Sequence, residues 1–236
     1  MIDLHCHLLP AIDDGATSWE VTLEMCRMAM KDGVHHIVAT PHANYSYAYD
    51  RASHMALMEE LRSRVPAMSF SLGCDFHLSY ENIEDAKRHP ARYTIEDTAY
   101  LLVELSDFSI FNIAKTLRDL RSAGLLPILT HPERNPLILG RPSMLHEVAE
   151  TGCLFQITAN SLTGFWGKPA QKMCEKMLRD KMVHFIASDA HGITKRLPIL
   201  SAGRDAAAKI VGAEAAAKLV QANPAAVVQN EPVACI

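Results

Sequence analysis

The chain begins MIDLHCHLLPAIDDG, which sets His5 and His7 one residue apart on an apolar run, with Asp13 and Asp14 soon after. Side chains two apart on a strand share a face, so both imidazoles would point the same way while Cys6 points oppositely. Two imidazoles on one face suit a divalent cation. An isolated H-x-H pair fits two ordinary histidines as well, so the other apolar runs decide the matter. HIVAT (36–40) leads to His42, FSLGC (70–74) to Asp75, and YLLVEL (100–105) carries Glu104. LPILT (126–130) leads to His131, and VHFIA (183–187) leads to Asp189 and His191, a second i, i+2 pair. Only LFQIT (154–158), followed by Ala-Asn, ends without a strong ligand.

Each of these has an ordinary explanation when taken singly. Glu104 could be a buried carboxylate paired with a lysine, since an unpaired one would cost several kcal/mol or more. The ASDAH stretch could be a strand followed by an Asx turn. Independent accidents at nearly every strand end are a poor account, and a shared metal centre is a better one. His5, His7, His42, His131 and His191 supply imidazoles, and Asp14, Asp75, Glu104 and Asp189 supply carboxylates. The set exceeds what one or two four-coordinate ions need and suits three, with a bridging carboxylate and solvent in open positions. Three divalent ions against four carboxylates leave roughly two positive charges, or one with a bridging hydroxide. A phosphate monoester, with a second pKa of about 6, carries the complementary charge. Arg134 in HPERN and Arg196 in HGITKR could hold its oxygens with their guanidinium forks. For Arg134 the competing expectation is an exposed ion pair with Glu133.

The elements that must position these groups are legible as alternation. Seven short apolar runs alternate with helical patterns: near 52–64, near 80–88, through Ile110, Ile113, Leu117 and Leu120, near 143–151, near 169–181, near 201–211 and near 213–221. The first helix is opened by Thr17 and Glu20 in a capping-box spacing, with Trp19, Leu23, Cys26 and Met30 as its apolar stripe. Continuous apolar strands between helices indicate a parallel sheet covered on both faces. Near-equal βα units favour a barrel over a doubly wound sheet, and no G-x-G-x-x-G follows the first strand. Barrels keep their chemistry at the C-terminal strand ends, where these residues fall.

The 236 residues carry a formal net charge of −4 without basic runs, which argues against nucleic acid and anionic membrane surfaces as partners. No segment reads as a signal peptide or a membrane span. The six cysteines are scattered, form no C-x-x-C pair, and read as reduced, mostly buried thiols of a cytoplasmic protein. None is followed by Arg at the spacing of a thiol phosphatase; Cys174 and Arg179 are five apart within a predicted helix.

The stretches MIDLHCHLLPAIDDG, IVATPH, YLLVEL, PILTHPER and IASDAH, with ANP near the end, resemble the polymerase and histidinol phosphatase (PHP) superfamily. Within it, the chain is most similar to the capsule- and exopolysaccharide-type metal-dependent bacterial tyrosine-protein phosphatases, in order along essentially its whole length. The resemblance implies one domain over 1–236, a distorted (β/α)7 TIM-like barrel, with three divalent ions, Mn first and Fe or Zn also compatible. It implies one ion on His5, His7, Asp75 and Asp189, a second on Glu104 and His131 with Asp75 bridging, and a third on Asp14, His42 and His191. Arg134 and Arg196 take the place of the family's phosphate-holding arginines. Where the family usually has Glu in a G-[AS]-E stretch, this chain has GCD, so the bridging carboxylate at Asp75 is one methylene shorter. His77 would share its face on a strand.

The implied activity is phosphomonoester hydrolysis by a metal-bridging hydroxide, acting on phosphotyrosines of a polysaccharide-biosynthesis tyrosine kinase such as an autokinase tail. A phenolate leaving group of pKa about 10 needs no separate general acid. A small-molecule phosphatase, for example one acting on histidinol phosphate, would share nearly every ligand. An amidohydrolase would call for a lysine on the fourth strand, where only Glu104 stands, and a non-catalytic metal-stabilised scaffold would have no use for so full a ligand set. Tyr45, Tyr47, Tyr49, Phe108, Phe111, Phe165 and Trp166 could line a slot for a phenyl ring or simply pack against helices. An oligomer is compatible with the sequence.

Overall fold

The computed structural model describes residues 1–106 and 112–236. Its strands are β1 (Ile2–Cys6), β2 (His36–Ala39), β3 (His42–Ala43), β4 (Ser69–Leu72), β5 (Asp75–His77), β6 (Tyr100–Glu104), β7 (Leu126–Thr130), β8 (Leu154–Thr158) and β9 (Phe185–Ala187). All pairings between them are parallel, in the orders β1-β2-β4 and β3-β5-β6-β7-β8-β9. β3 continues the chain pass of β2, and β5 continues that of β4. Two of the expected strands are therefore each broken in two. Pro41, which has no N–H to give a ladder, interrupts one; Gly73 and Cys74 interrupt the other. Gly73 N–H donating to Ala39 O at 2.8 Å and Asp75 N–H to Pro41 O at 3.1 Å carry the pairing across both breaks. The ring closes where Cys6 pairs with Ala190, with His7 N–H donating to Ala190 O at 2.9 Å and Asp189 N–H to His5 O at 2.8 Å. The result is a parallel barrel of seven chain passes, distorted at its breaks.

Helices enclose it: α1 (Trp19–Lys31), α2 (Arg51–Arg64), α3 (Tyr80–Arg88), α4 (Ile113–Ser122), α5 (Pro136–Gly140), α6 (Met144–Ala149), α7 (Ala159–Leu162), α8 (Gly167–Arg179), α9 (Ser201–Val211), α10 (Ala213–Lys218) and α11 (Ala222–Val228). The expected α1 cap shifts by one residue: Ser18, not Thr17, is in extended backbone and accepts from Val21 N–H. Its buried face is Thr22, Met25, Cys26 and Ala29, while Trp19, Leu23 and Met30 are half-buried along the edge. The short α5, α7 and α11 were not anticipated, each being too brief to show a period. Ile110, Phe108 and Phe111 lie outside the described residues.

The barrel interior is filled by Ile2, Leu4, Val38, Tyr100, Leu102, Ile128 and Phe185, joined by Val227 of α11. A second, larger core lies between barrel and helices. In β1 the register slips by one residue between Asp3 and Cys6. This bulge lets Leu4 pack inside the barrel while the adjacent His5 faces the cluster at its mouth. No helix among the described residues is long and apolar enough to cross a membrane.

Candidate metal centre

The nine expected ligand residues are brought to one end of the barrel. His5 Nε2 lies 3.5 Å from Asp75 Oδ2 and 3.4 Å from Asp189 Oδ1, and His7 Nε2 is 3.5 Å from Asp189 Oδ1. Asp14 Oδ1 lies 3.4 Å from both His42 Nε2 and His191 Nε2. His42 Nδ1 is 3.3 Å from Asp75 Oδ2, and His131 Nε2 is 3.6 Å from Glu104 Oε1. Two atoms each about 2.1 Å from a tetrahedral ion stand about 3.4 Å apart. These are therefore ligand-to-ligand separations, too long for good hydrogen bonds.

The outer bonds of the histidines tell which nitrogen is offered. His5 Nδ1 donates to Gln156 Oε1 at 3.0 Å, His7 Nδ1 to Asp13 Oδ2 at 2.8 Å, and His191 Nδ1 to the Asp189 carbonyl at 3.0 Å. In a neutral ring each Nε2 is then the lone-pair nitrogen aimed inward, and those of His5 and His7 lie 3.2 Å apart. Such outward bonding is how proteins fix the tautomer of metal-ligating histidines. Among the described residues, His42 Nδ1, Asp75 Oδ2, Asp189 Oδ1 and His191 Nε2 are buried without a hydrogen-bond partner. Buried polar atoms of that kind are costly, and a cation would satisfy all four. The residues fit a metal centre.

Groupings close enough to share an ion are His7, Asp14, His42 and His191; His5, His7 and Asp75; His5, His131 and Asp189; and His42, Asp75 and Glu104. The first contains the expected Asp14–His42–His191 set with His7 added. Glu104 and His131, expected to share an ion with Asp75, divide between two groupings. Asp75, despite its shorter side chain, faces His5, His7 and His42, and Thr130 Oγ1 donates to its other oxygen at 3.4 Å. His77 belongs to none of these groups; its ring lies 5.9 Å from that of Tyr45.

Proton affinities follow from crowding. Burial alone would lower His5 and His42, but Asp75 and Asp189 raise His5 to about 9, and Asp14 and Asp75 raise His42 to about 11. Glu104 is pushed up to about 7 by burial and by the Asp75 charge. His191 is lowered to about 4 by burial and by His7, and His131 is held well below the usual range by burial and Arg134. Four carboxylates here need positive charge, which cations supply without occupying the imidazole lone pairs with protons.

The arginines do not pair with Glu133. Arg134 Nη1 and Arg196 Nη2 each lie 2.6 Å from Asp189 Oδ2, whose other oxygen faces His5 and His7. Asp189 thus ties the arginine pair to the imidazoles. Trp166 lies against both guanidiniums, 4.7 Å from Arg134 and 5.5 Å from Arg196, and donates its own N–H to Asn160 Oδ1 at 3.0 Å. Glu133 is buried instead against β8 and α7, accepting from Thr158 N–H and from the Thr158 and Ser161 hydroxyls. His131, Asp189 and Arg196 all have φ between 34 and 50°, a left-handed backbone that turns the chain sharply where each side chain is needed.

These groups border a cavity of about 320 Å³ lined by Asp14, His42, Asp75, Glu104, His131, Arg134, Trp166, Asp189 and Arg196, among others. Of the expected aromatics, Trp166 borders it and Tyr47 stacks on His42 at 5.9 Å. Tyr49 is buried, donating to Gly73 O and packing on His54 and Tyr93, because its polar tip finds a backbone partner inside. The thiols stand apart: Cys6, Cys26, Cys74, Cys153 and Cys174 are buried, Cys235 is exposed, and burial pushes Cys174 well above its usual pKa.

Sequence reasoning missed Asp13 and Gln156 as the partners that orient His7 and His5. Gln156 could have been flagged as the one polar residue inside the apolar run LFQIT, since a buried amide demands a partner.

Tyrosine-protein phosphatase YwqE of Bacillus subtilis (strain 168) is 35% identical over 202 residues, covering 83% of this chain and 79% of that protein. Solved structures of YwqE and of CpsB from Streptococcus pneumoniae, described as unique metal-dependent tyrosine phosphatases, include one that superposes with a TM-score of 0.89 at 30% identity. That match covers 100% of this chain and 97% of the other. A histidinol phosphate phosphatase from Lactococcus lactis, solved with zinc, L-histidinol and phosphate, shares the fold at 11% identity and a TM-score of 0.57, covering 89% and 92% of the two chains. The family described as capsular polysaccharide synthesis, CpsB/CapC, matches residues 1–229, and the chain belongs to it.

Proposed function

We propose that this protein is a metal-dependent tyrosine-protein phosphatase, hydrolysing phosphotyrosine in a protein substrate, with residues 1–236 acting as one domain. The observation that carries it is the inward convergence of His5, His7 and His191 Nε2 upon acidic oxygens, beside an arginine pair that shares Asp189. His5, His7, Asp14, His42, Asp75, Glu104, His131, Asp189 and His191 would hold divalent ions, three in number, Mn first and Fe or Zn also suited to nitrogen and oxygen donors. Such ions supply Lewis acidity, lowering the pKa of water and neutralising phosphoryl charge.

The chain's own residues do the rest. Arg134 and Arg196 bind the phosphoryl oxygens and stabilise the charge that grows on them during in-line displacement. Trp166 packs on both guanidiniums and fixes their aim. Gln156 and Asp13 keep the protons of His5 and His7 on the outward nitrogens. A phenolate leaving group, of pKa about 10, needs no dedicated general acid. A bacterial tyrosine autokinase and a cytoplasmic setting fit the family's link to capsule synthesis.

The test compares p-nitrophenyl phosphate, a phosphotyrosyl peptide and histidinol phosphate, each with Mn and after chelation. Mn-dependent turnover favouring the phosphotyrosyl peptide is expected. Turnover of histidinol phosphate alone would move the protein to small-molecule phosphatases. Turnover of a cyclic amide and of no phosphate ester would end the phosphatase assignment.

A further inference from the structure

Among the described residues the large exposed apolar side chains are Tyr45, Tyr80, Phe165, Trp166 and Ile193. All but Ile193 line cavities that adjoin one another. Trp166 borders the catalytic cavity, and Tyr45 and Tyr80 line a groove that shares Leu105 with it. Ile193 sits in the loop between His191 and Arg196. Phe165 lines a separate groove of about 280 Å³, between the turn after α7 and the loop before α9, whose walls include Lys195, Leu197, Ile199 and Ala202. That groove shares Arg196 with the catalytic cavity. Apolar exposure concentrated on a single site marks a binding surface.

Resting on the phosphotyrosine reading above, we propose that the Phe165–Ala202 groove is a subsite for an apolar side chain two residues from the phosphotyrosine in the same substrate peptide. The occupant follows from continuity. Arg196 holds the phosphoryl group on one side and forms a wall of the groove on the other. The peptide backbone must leave the cavity at its rim, and in an extended chain side chains two residues apart share a face about 6.6 Å apart, so the second side chain from the phosphotyrosine falls on the rim apolar residues. The groove is built for an apolar group: Phe165 stands edge-on to Trp166 at 5.3 Å and is fixed by it, so its ring is preorganised. A free phosphotyrosine would leave this surface uncovered.

Two readouts test this: binding of phosphonate-bearing, non-hydrolysable phosphotyrosyl peptides, and turnover of their phosphate counterparts by Mn-loaded protein. The peptides carry Leu or Ser two residues before or two residues after the tyrosine. Burial of one leucine predicts about tenfold tighter binding and higher kcat/KM for the Leu peptide. Ala202→Trp, which fills the groove from the exposed face of α9, and Phe165→Ala, which removes a wall, are each expected to bring that ratio within about twofold. Ala202→Trp should leave p-nitrophenyl phosphate turnover unchanged. Equal treatment of Leu and Ser peptides by the wild type, or an intact preference in Ala202→Trp, would overturn the subsite while leaving the phosphatase reading standing. Turnover of p-nitrophenyl phosphate with no phosphotyrosyl compound processed would overturn both.

Discussion

Asp75 and Asp189 carry different burdens although both are fully buried carboxylates among imidazoles. Asp75 faces His5, His7 and His42 and pairs with neither Arg134 nor Arg196, so Asp75→Asn removes a charged ligand and leaves the arginines untouched. Loss of about 10³-fold in kcat with an unchanged circular dichroism spectrum is expected; near wild-type kcat would remove Asp75 from the centre. Arg134→Lys keeps the charge but loses the planar fork and its stacking on Trp166. Its KM for p-nitrophenyl phosphate should rise about tenfold, and an unchanged KM would show that Arg134 does not hold phosphate. At this scale the sequence made the inner donors legible, since all but Asp14 lie at or just beyond the end of an apolar run. Their outer partners were not. Asp13 reaches His7 only because the loop folds back, with Ala16 N–H donating to His7 O at 3.1 Å, and Arg134 pairs with Asp189 while its neighbour Glu133 is held through Oε1 by Thr158 and Ser161 of β8 and α7.

The loop after β1 shows how closely an element is tied to the donors it presents. A methyl group at Gly15 would stand 2.3 Å from His7 O and 2.5 Å from His7 Cβ, and neither atom can yield. Gly15→Ala must displace the loop bearing Asp13 and Asp14. Weaker Mn binding by isothermal titration, with substantial loss of activity, is the expected outcome; unaltered Mn affinity would mean that this loop holds no ion. The alternation of strands and helices was readable because apolar runs and amphipathic stripes have distinct periods. The breaks in two strands were only half readable. Pro41 announces one, but the other is visible only in three dimensions, where a side chain at Gly73 would press on Ile95 and Val38 at 3.1 Å. The β1 bulge left no sequence signature, since it arises from pairing with β2.

For the molecule as a whole, cations and protons compete for the same nitrogens. Without cations, His5 and His42 have pKa values raised to about 9 and about 11 above the ordinary 6.5. A raised folded pKa contributes stability that is complete below the unfolded value and fades as pH climbs through the folded one. The chelated protein therefore loses this support progressively above about pH 6.5, until about pH 9 for His5 and about pH 11 for His42, while cation binding strengthens as those protons leave. The gap in Tm between Mn-loaded and chelated protein should widen from pH 6 to pH 9, measured by differential scanning fluorimetry. An ion at one hundred times its Kd adds about 2.7 kcal/mol, or roughly 5–10 °C for a chain of this size. A gap that does not vary with pH would mean that His5 and His42 bind no ion through these nitrogens. The barrel itself does not depend on the ions for its interior, which is filled by the strands' own apolar residues.

The most direct measurement is an anomalous-difference map from a crystal grown with Mn. Three peaks are expected at the barrel mouth, each about 2.0–2.3 Å from nitrogens or oxygens of His5, His7, Asp14, His42, Asp75, Glu104, His131, Asp189 and His191. A map with no peak within reach of any of these atoms, from protein that still hydrolyses phosphotyrosine, would contradict the account.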